Sequence, residues 1–78
     1  MYITVYEICF YFKDKNDNWY YSSREMVYYK YLDIKEAYNF IMKELHVEEN
    51  EKIHIKKIIN KTHNTVYYTN AKKIERIK

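Results

Sequence analysis

The chain has no glycine and no proline, one cysteine, two arginines and no long apolar run. Each of these absences removes something. Loops that cradle phosphate need glycine so that the backbone can approach the anion without a Cβ in the way, which argues strongly against glycine-loop nucleotide hydrolysis. Without glycine, left-handed turn positions fall to Asn or Asp, making Asn16, Asp17, Asn18 and Asn64 the turn candidates. A lone Cys9 forms no intramolecular disulfide and fits a reducing compartment, so a cytoplasmic location is expected. No stretch approaches the roughly 20 apolar residues of a membrane span. The start, Met1 to Glu7, lacks the basic segment and cleavage site of a signal peptide, so no membrane partner is expected and the triplet Asn60-Lys61-Thr62 carries no weight as a glycosylation site. Scarce arginine argues against sequence-specific DNA reading, which favours its bidentate fork.

The chemistry-bearing residues are equally sparse. A nucleophilic Cys9 would need His46, His54 or His63 within hydrogen-bond reach; between Ile8 and Phe10 it reads instead as a small buried residue. Structural zinc wants two close ligand pairs, and none is present. His54 alternates with isoleucines and His63 falls in a turn, so both read as solvated. The adjacent Glu48 and Glu49 read as exposed loop carboxylates without the raised pKa of a general acid. The expectation is a non-enzyme, with no catalytic residue, no metal and no cofactor.

What the chain does have is 47% hydrophobic and 19% aromatic residues against 32% charged, a balance that folds. Its 78 residues suit one domain spanning 1–78, with marginal stability. Eleven tyrosines, abundant isoleucine and asparagine, and twelve lysines share adenine- and thymine-rich codons. The source implied is an AT-rich genome, such as that of a low-GC bacterium, its phages or its plasmids.

Along the chain, Tyr2 to Phe12 reads as a central strand, dense in β-branched and aromatic residues. After a polar turn at Lys13 to Asn18, Trp19 to Tyr31 reads as its hairpin partner, with a bulge or bend at Ser22 to Glu25. Asp33 and Glu36 form a capping signature, and Ile34, Ala37, Tyr38, Ile41, Met42 and Leu45 then make one helical face ending near His46 to Val47. An acidic loop, Glu48 to Glu51, leads to a third strand in which Ile53, Ile55 and Ile59 share a face. A turn at Lys61 to Asn64 leads to a fourth strand at Thr65 to Thr69. The fold class expected is α+β, a hairpin-helix-hairpin (ββαββ) with a β-grasp-like four-stranded sheet, its first and last strands adjacent in the middle and the helix on one face.

Two surface features point to binding. Residues 1–51 carry six basic and ten acidic side chains, whereas residues 52–78 carry eight basic and one acidic. Lys52, Lys56, Lys57, Lys61, Lys72, Lys73 and Arg76, with Tyr67 for stacking, make a candidate strip for nucleic acid or an acidic partner. Lysines guarding edge strands account for the same pattern. Eleven tyrosines exceed what so small a core can bury, so Tyr20, Tyr21, Tyr28, Tyr29 and Tyr31 are the candidate protein-binding face.

In size and composition the chain looks like the small orphan proteins carried by phages, many of which block a host machine, nucleases of bacterial immunity included. That resemblance implies an inhibitor of the anti-CRISPR type, whose partner is a host protein or nucleoprotein complex. A single-stranded DNA or RNA binder and a homodimeric scaffold protein are the alternatives.

Overall fold

Strand β1, Thr4–Lys13, forms the spine of the molecule in this computed structural model, which describes residues 3–70, with Asn50 and Tyr67 described by their backbone alone. It alternates strictly. Tyr6, Ile8, Phe10 and Phe12 point to one side, while Val5, Glu7, Cys9, Tyr11 and Lys13 point to the other. Strand β2, Trp19–Tyr28, folds back on it through ten consecutive antiparallel pairs, from Lys13 with Trp19 to Thr4 with Tyr28. The register does not shift at Ser22 to Glu25, which are continuous strand, so the bulge or bend expected there is absent. The strand stops at Tyr28, three residues short of the expected end.

The turn between them is built by Asp14, whose Oδ1 accepts the N–H groups of Asn16 (2.8 Å) and Asn18 (3.0 Å). Asp17 then takes the left-handed conformation (φ 62°) that glycine would ordinarily supply.

Helix α1, Ile34–Leu45, starts where the capping signature places it. Asp33 Oδ1 accepts the Glu36 N–H at 2.8 Å, and Glu36 Oε1 accepts the Asp33 N–H at 3.3 Å. It ends at His46, which turns left-handed (φ 56°) and donates its N–H to Lys43 and Met42 carbonyls, while Val47 N–H bonds the Met42 carbonyl at 2.9 Å. A non-glycine side chain in that conformation is strained. Replacing His46 by glycine is expected to raise stability by about 0.5–1 kcal/mol, read as a higher urea midpoint at unchanged slope.

A 3₁₀ turn, Asn50–Lys52, leads into β3, Ile53–Asn60, and β4, Thr65–Thr69, completes the sheet. All pairings are antiparallel and the strand order is β2-β1-β3-β4. The β-grasp-like order is therefore corrected: β1 lies beside β3, and among the described residues β4 is an edge. The fourth strand is short and polar at both ends, and cannot supply the apolar partner that β1 needs; isoleucine-rich β3 can.

Between Cys9 and Phe10 the β1–β3 register slips by one, leaving Lys56 as the extra residue. The slip reverses the alternation of β3. Ile53, Ile55 and Ile58 thus face the core, and Ile59, assigned to that face from simple alternation, is turned to the opposite side. Tyr6, Ile8, Phe10, Leu32, Ala37, Ile41 and these three isoleucines form the buried cluster between sheet and helix. The Tyr38 hydroxyl accepts the Ile55 N–H at 3.2 Å, fixing α1 to β3.

Candidate functional site

Since α1 covers one side of the sheet, the other side is helix-free among the described residues. Working across the strands, it carries Val27 and Val5 at one end, then Glu25, Glu7, Ile59 and Val66, then Ser23, Cys9, Lys57 and Thr69, then Tyr21, Tyr11 and His54, and finally Trp19 and Lys13. The side chains of Tyr21 (48%), Val27 (63%) and Val66 (55%) are exposed there.

The ring-bearing end has defined geometry. Tyr11 meets Tyr21 at 5.0 Å between centroids and 57°, and lies nearly parallel to His54 at 6.2 Å and 26°. Three rings thus run side by side across β2, β1 and β3. Trp19 lies next along β2, with Lys13 Nζ 5.6 Å from its ring centre and also 3.7 Å from Asp17. Partial burial against the sheet, then a hydrogen bond with the Cys9 thiol, push the Tyr21 phenol up to about 12. It stays a neutral donor throughout the physiological range.

Cys9 and His54 share this face, in neighbouring registers, and both are buried. Burial of Cys9 agrees with its sequence context. His54, expected to be solvated, is only 7% exposed because the ring of Tyr11 lies beside it on the adjacent strand. Among the described residues, no group of three or more His, Cys, Asp or Glu converges as metal ligands do.

The five tyrosines expected to form one docking face are dispersed. Tyr20 turns to the helix side and stacks on Phe12 at 5.5 Å and 27°. Tyr28 also turns that way and donates its hydroxyl to Glu36 Oε2. Tyr21 alone of the three stands on the helix-free face, while Tyr29 (58%) and Tyr31 (70%) are exposed on the β2–α1 connection. Strand alternation separates neighbours in sequence onto opposite faces, which a list of exposed tyrosines ignores. Trp19 and Tyr11 were missed, though their odd-numbered spacing with Tyr21 across the first hairpin was the available signal.

The basic strip is dispersed as well. Lys52 pairs with Glu49 (3.7 Å) beside the 3₁₀ turn, Lys61 pairs with Glu7 (3.7 Å), Lys56 occupies the register slip, and Lys57 stands mid-face. The Tyr67 side chain, Lys72, Lys73 and Arg76 lie outside the described residues. The acidic residues Glu48, Glu49 and Glu51 instead rim an open groove floored by Ile34, Tyr38 and Met42.

Glu36 joins three elements. Besides capping α1, it accepts from Tyr28 and lies 3.5 Å from Lys30 Nζ. The Tyr28 hydrogen bond is the main cause that holds the Glu36 carboxyl below its ordinary value, and the same bond pushes Tyr28 up to about 12. The lowered carboxyl stabilises the fold above the ordinary carboxylate pKa, and that share is lost as pH falls through its folded value. The raised phenol stabilises it below pH 10.0, and that share is lost as pH climbs toward about 12. Tyr28→Phe is expected to flatten the alkaline decline and weaken the acid one, as checked by urea midpoints at about pH 3, 7 and 11.

No protein-family model, curated protein or solved structure matches this chain. Among the described residues, no helix is long and apolar enough to cross a membrane.

Proposed function

We propose that this chain is a non-enzymatic contact protein that docks on a protein partner through its helix-free sheet face, as an inhibitor from a mobile genetic element occupies a host machine. The observation that carries this reading is the exposure of Tyr21, Val27 and Val66 on a face that no described element covers. Exposed apolar side chains on both β2 and β4 of this uncovered face, with the rings of Tyr11 and Trp19 beside Tyr21, support an interaction surface. Aromatic anchors at the Trp19 end and aliphatic ones at the Val27 end, with Lys57 and Glu25 between them, match the make-up of protein interfaces, where aromatics dominate and a few charges set orientation. The codon bias supports the mobile-element part of the reading.

The side-by-side rings of Tyr21, Tyr11 and His54, with Lys13 and Lys57 on the same face, favour a second reading: a single-stranded nucleic acid stacked on the sheet. One experiment separates the two. A photoreactive amino acid is placed at position 21, 27 or, as a control on the outer helix surface, 35, and the variants are irradiated in the host cell. Adducts with a protein other than this chain, formed from positions 21 and 27 but not 35, support the first reading. Nucleic-acid adducts at position 21, with a yield that falls when cell extract is irradiated at high instead of low salt, would replace it with the second. Adducts from position 35 alone would overturn both.

A further inference from the structure

The outer edge of β2 is a second surface, bordering the helix-free face and sharing Trp19, Tyr21 and Val27 with it. No described strand pairs with it, and Ser23, Arg24 and Glu25 are exposed. Which backbone groups it presents follows from β1. Val5 sends both its polar groups toward β3, accepting the Lys61 N–H at 2.8 Å and donating to Thr62 Oγ1 at 2.9 Å. Odd residues of β1 therefore face β3 and even ones face β2. On β2, the even residues paired with them face inward, leaving the N–H and C=O of Trp19, Tyr21, Ser23, Glu25 and Val27 directed outward. The Arg24 guanidinium agrees with this, since it reaches over the edge to the Ser23 carbonyl at 2.9 Å and the Ser22 hydroxyl at 3.1 Å.

Native edges are blunted by shortness, bulges, proline or charged side chains. Strand β4, at the other edge, has five residues and a register slip. Strand β2 has ten residues, no slip and no proline, and of these devices it carries just the charges of Arg24 and Glu25, which cancel.

We infer that the β2 edge pairs with β2 of a second copy of this chain, antiparallel and centred on Ser23. A twofold axis normal to the sheet keeps each side chain on its own face, so the choice of central residue decides every contact. Centring on Arg24 or Glu25 sets like charges directly opposite each other. Centring on Ser23 brings two small side chains together, sets Tyr21 opposite Glu25 of the second copy and Trp19 opposite its Val27, and on the helix side sets Ser22 opposite its Arg24 and Tyr20 opposite its Met26. Each phenol then has a carboxylate to donate to, and each guanidinium releases the Ser23 carbonyl to the new ladder and exchanges its own Ser22 hydroxyl for that of the second copy. Five outward-facing residues per chain form the new ladder. The product is a continuous eight-stranded sheet with both helices on one side and both helix-free faces on the other.

Sedimentation over a range of concentrations should give a mass twice that of one chain. Ser23→Pro removes an outward N–H that β1 does not use, so the variant should keep its fold by circular dichroism and associate about 100-fold more weakly. In a Cys9→Ala background, Ser23→Cys should give a disulfide-linked dimer under mild oxidation, because hydrogen-bonded partners sit about 5.5 Å apart at Cα, within disulfide range. Ser22→Cys, offset from its own copy, should not. A monomer at every concentration overturns the inference. So does a dimer that Ser23→Pro leaves intact and that Ser23→Cys fails to link.

Discussion

Phe10→Ala is expected to cost about 3–5 kcal/mol and leave the chain largely unfolded at 37 °C. Phe10 is fully buried at the centre of β1, flanked by Ile8 and Phe12 and paired with Ile55 on β3. On β2 its partner is Ser22, which brings no bulk to that side of the ring. Removing the ring therefore leaves a cavity that the serine cannot fill and that Ile55, Ile58 and Ile41 cannot reach without leaving their own contacts. A domain of this size has only about 4–12 kcal/mol in total, at roughly 0.05–0.15 kcal/mol per residue, so the loss is comparable to the whole. Urea titration followed by far-ultraviolet circular dichroism would measure it. Val27→Ala, on an exposed position of the neighbouring strand, should stay within about 0.5 kcal/mol in the same assay.

The second large effect concerns binding. Replacing Trp19 and Tyr21 together by alanine is expected to weaken capture of the partner by about 30-fold or more, since buried aromatic anchors typically contribute 2 kcal/mol or above on truncation. Both side chains sit on the helix-free face, Trp19 partly covered and Tyr21 exposed, and neither belongs to the core cluster. The double variant should therefore unfold at nearly the wild-type urea concentration while its binding isotherm shifts. Tyr29→Ala with Tyr31→Ala, on the β2–α1 connection, is the matching control and should leave affinity within about threefold. If the control shifts the isotherm and the Trp19 and Tyr21 change does not, docking occurs at that connection, and the helix-free face is not the contact surface. Should both pairs prove silent, a docking face built on aromatic side chains is ruled out.

Local rules carried the sequence reading where one segment decides its own structure. The capping residues Asp33 and Glu36 mark the helix start because both partners lie within one turn of each other. The turn residues Asp17 and Asn64 adopt positive φ, as a glycine-free chain requires. His46 does so too and was not foreseen, because histidine is a less common left-handed residue than Asn or Asp and the position is set by where the helix runs out of apolar contacts.

The candidate site was less legible. The phenol rings at Tyr20 and Tyr21 are adjacent in sequence, yet one stacks on Phe12 beneath the helix and the other reaches the free face. The lysines at 52 and 61 look like parts of one strip, yet Lys52 is matched to Glu49 three residues before it and Lys61 to Glu7 on β1. Composition counts such residues. Only pairing across strands says which ones share a surface.

The sequence by itself determined that this is an α+β chain, where its helix begins, that Asp17 and Asn64 are candidates for left-handed turns, and that phenol rings outnumber core positions, because each depends on composition or on neighbours a few residues apart. The tertiary structure alone decided that β3 and not β4 lies beside β1, that the slip at Lys56 turns Ile59 away from the core, and that Tyr11, Trp19, Tyr21 and His54 share one face. Strand order and register are set by the summed fit of apolar surfaces far apart in the chain, and a one-residue slip sends every following side chain to the opposite face.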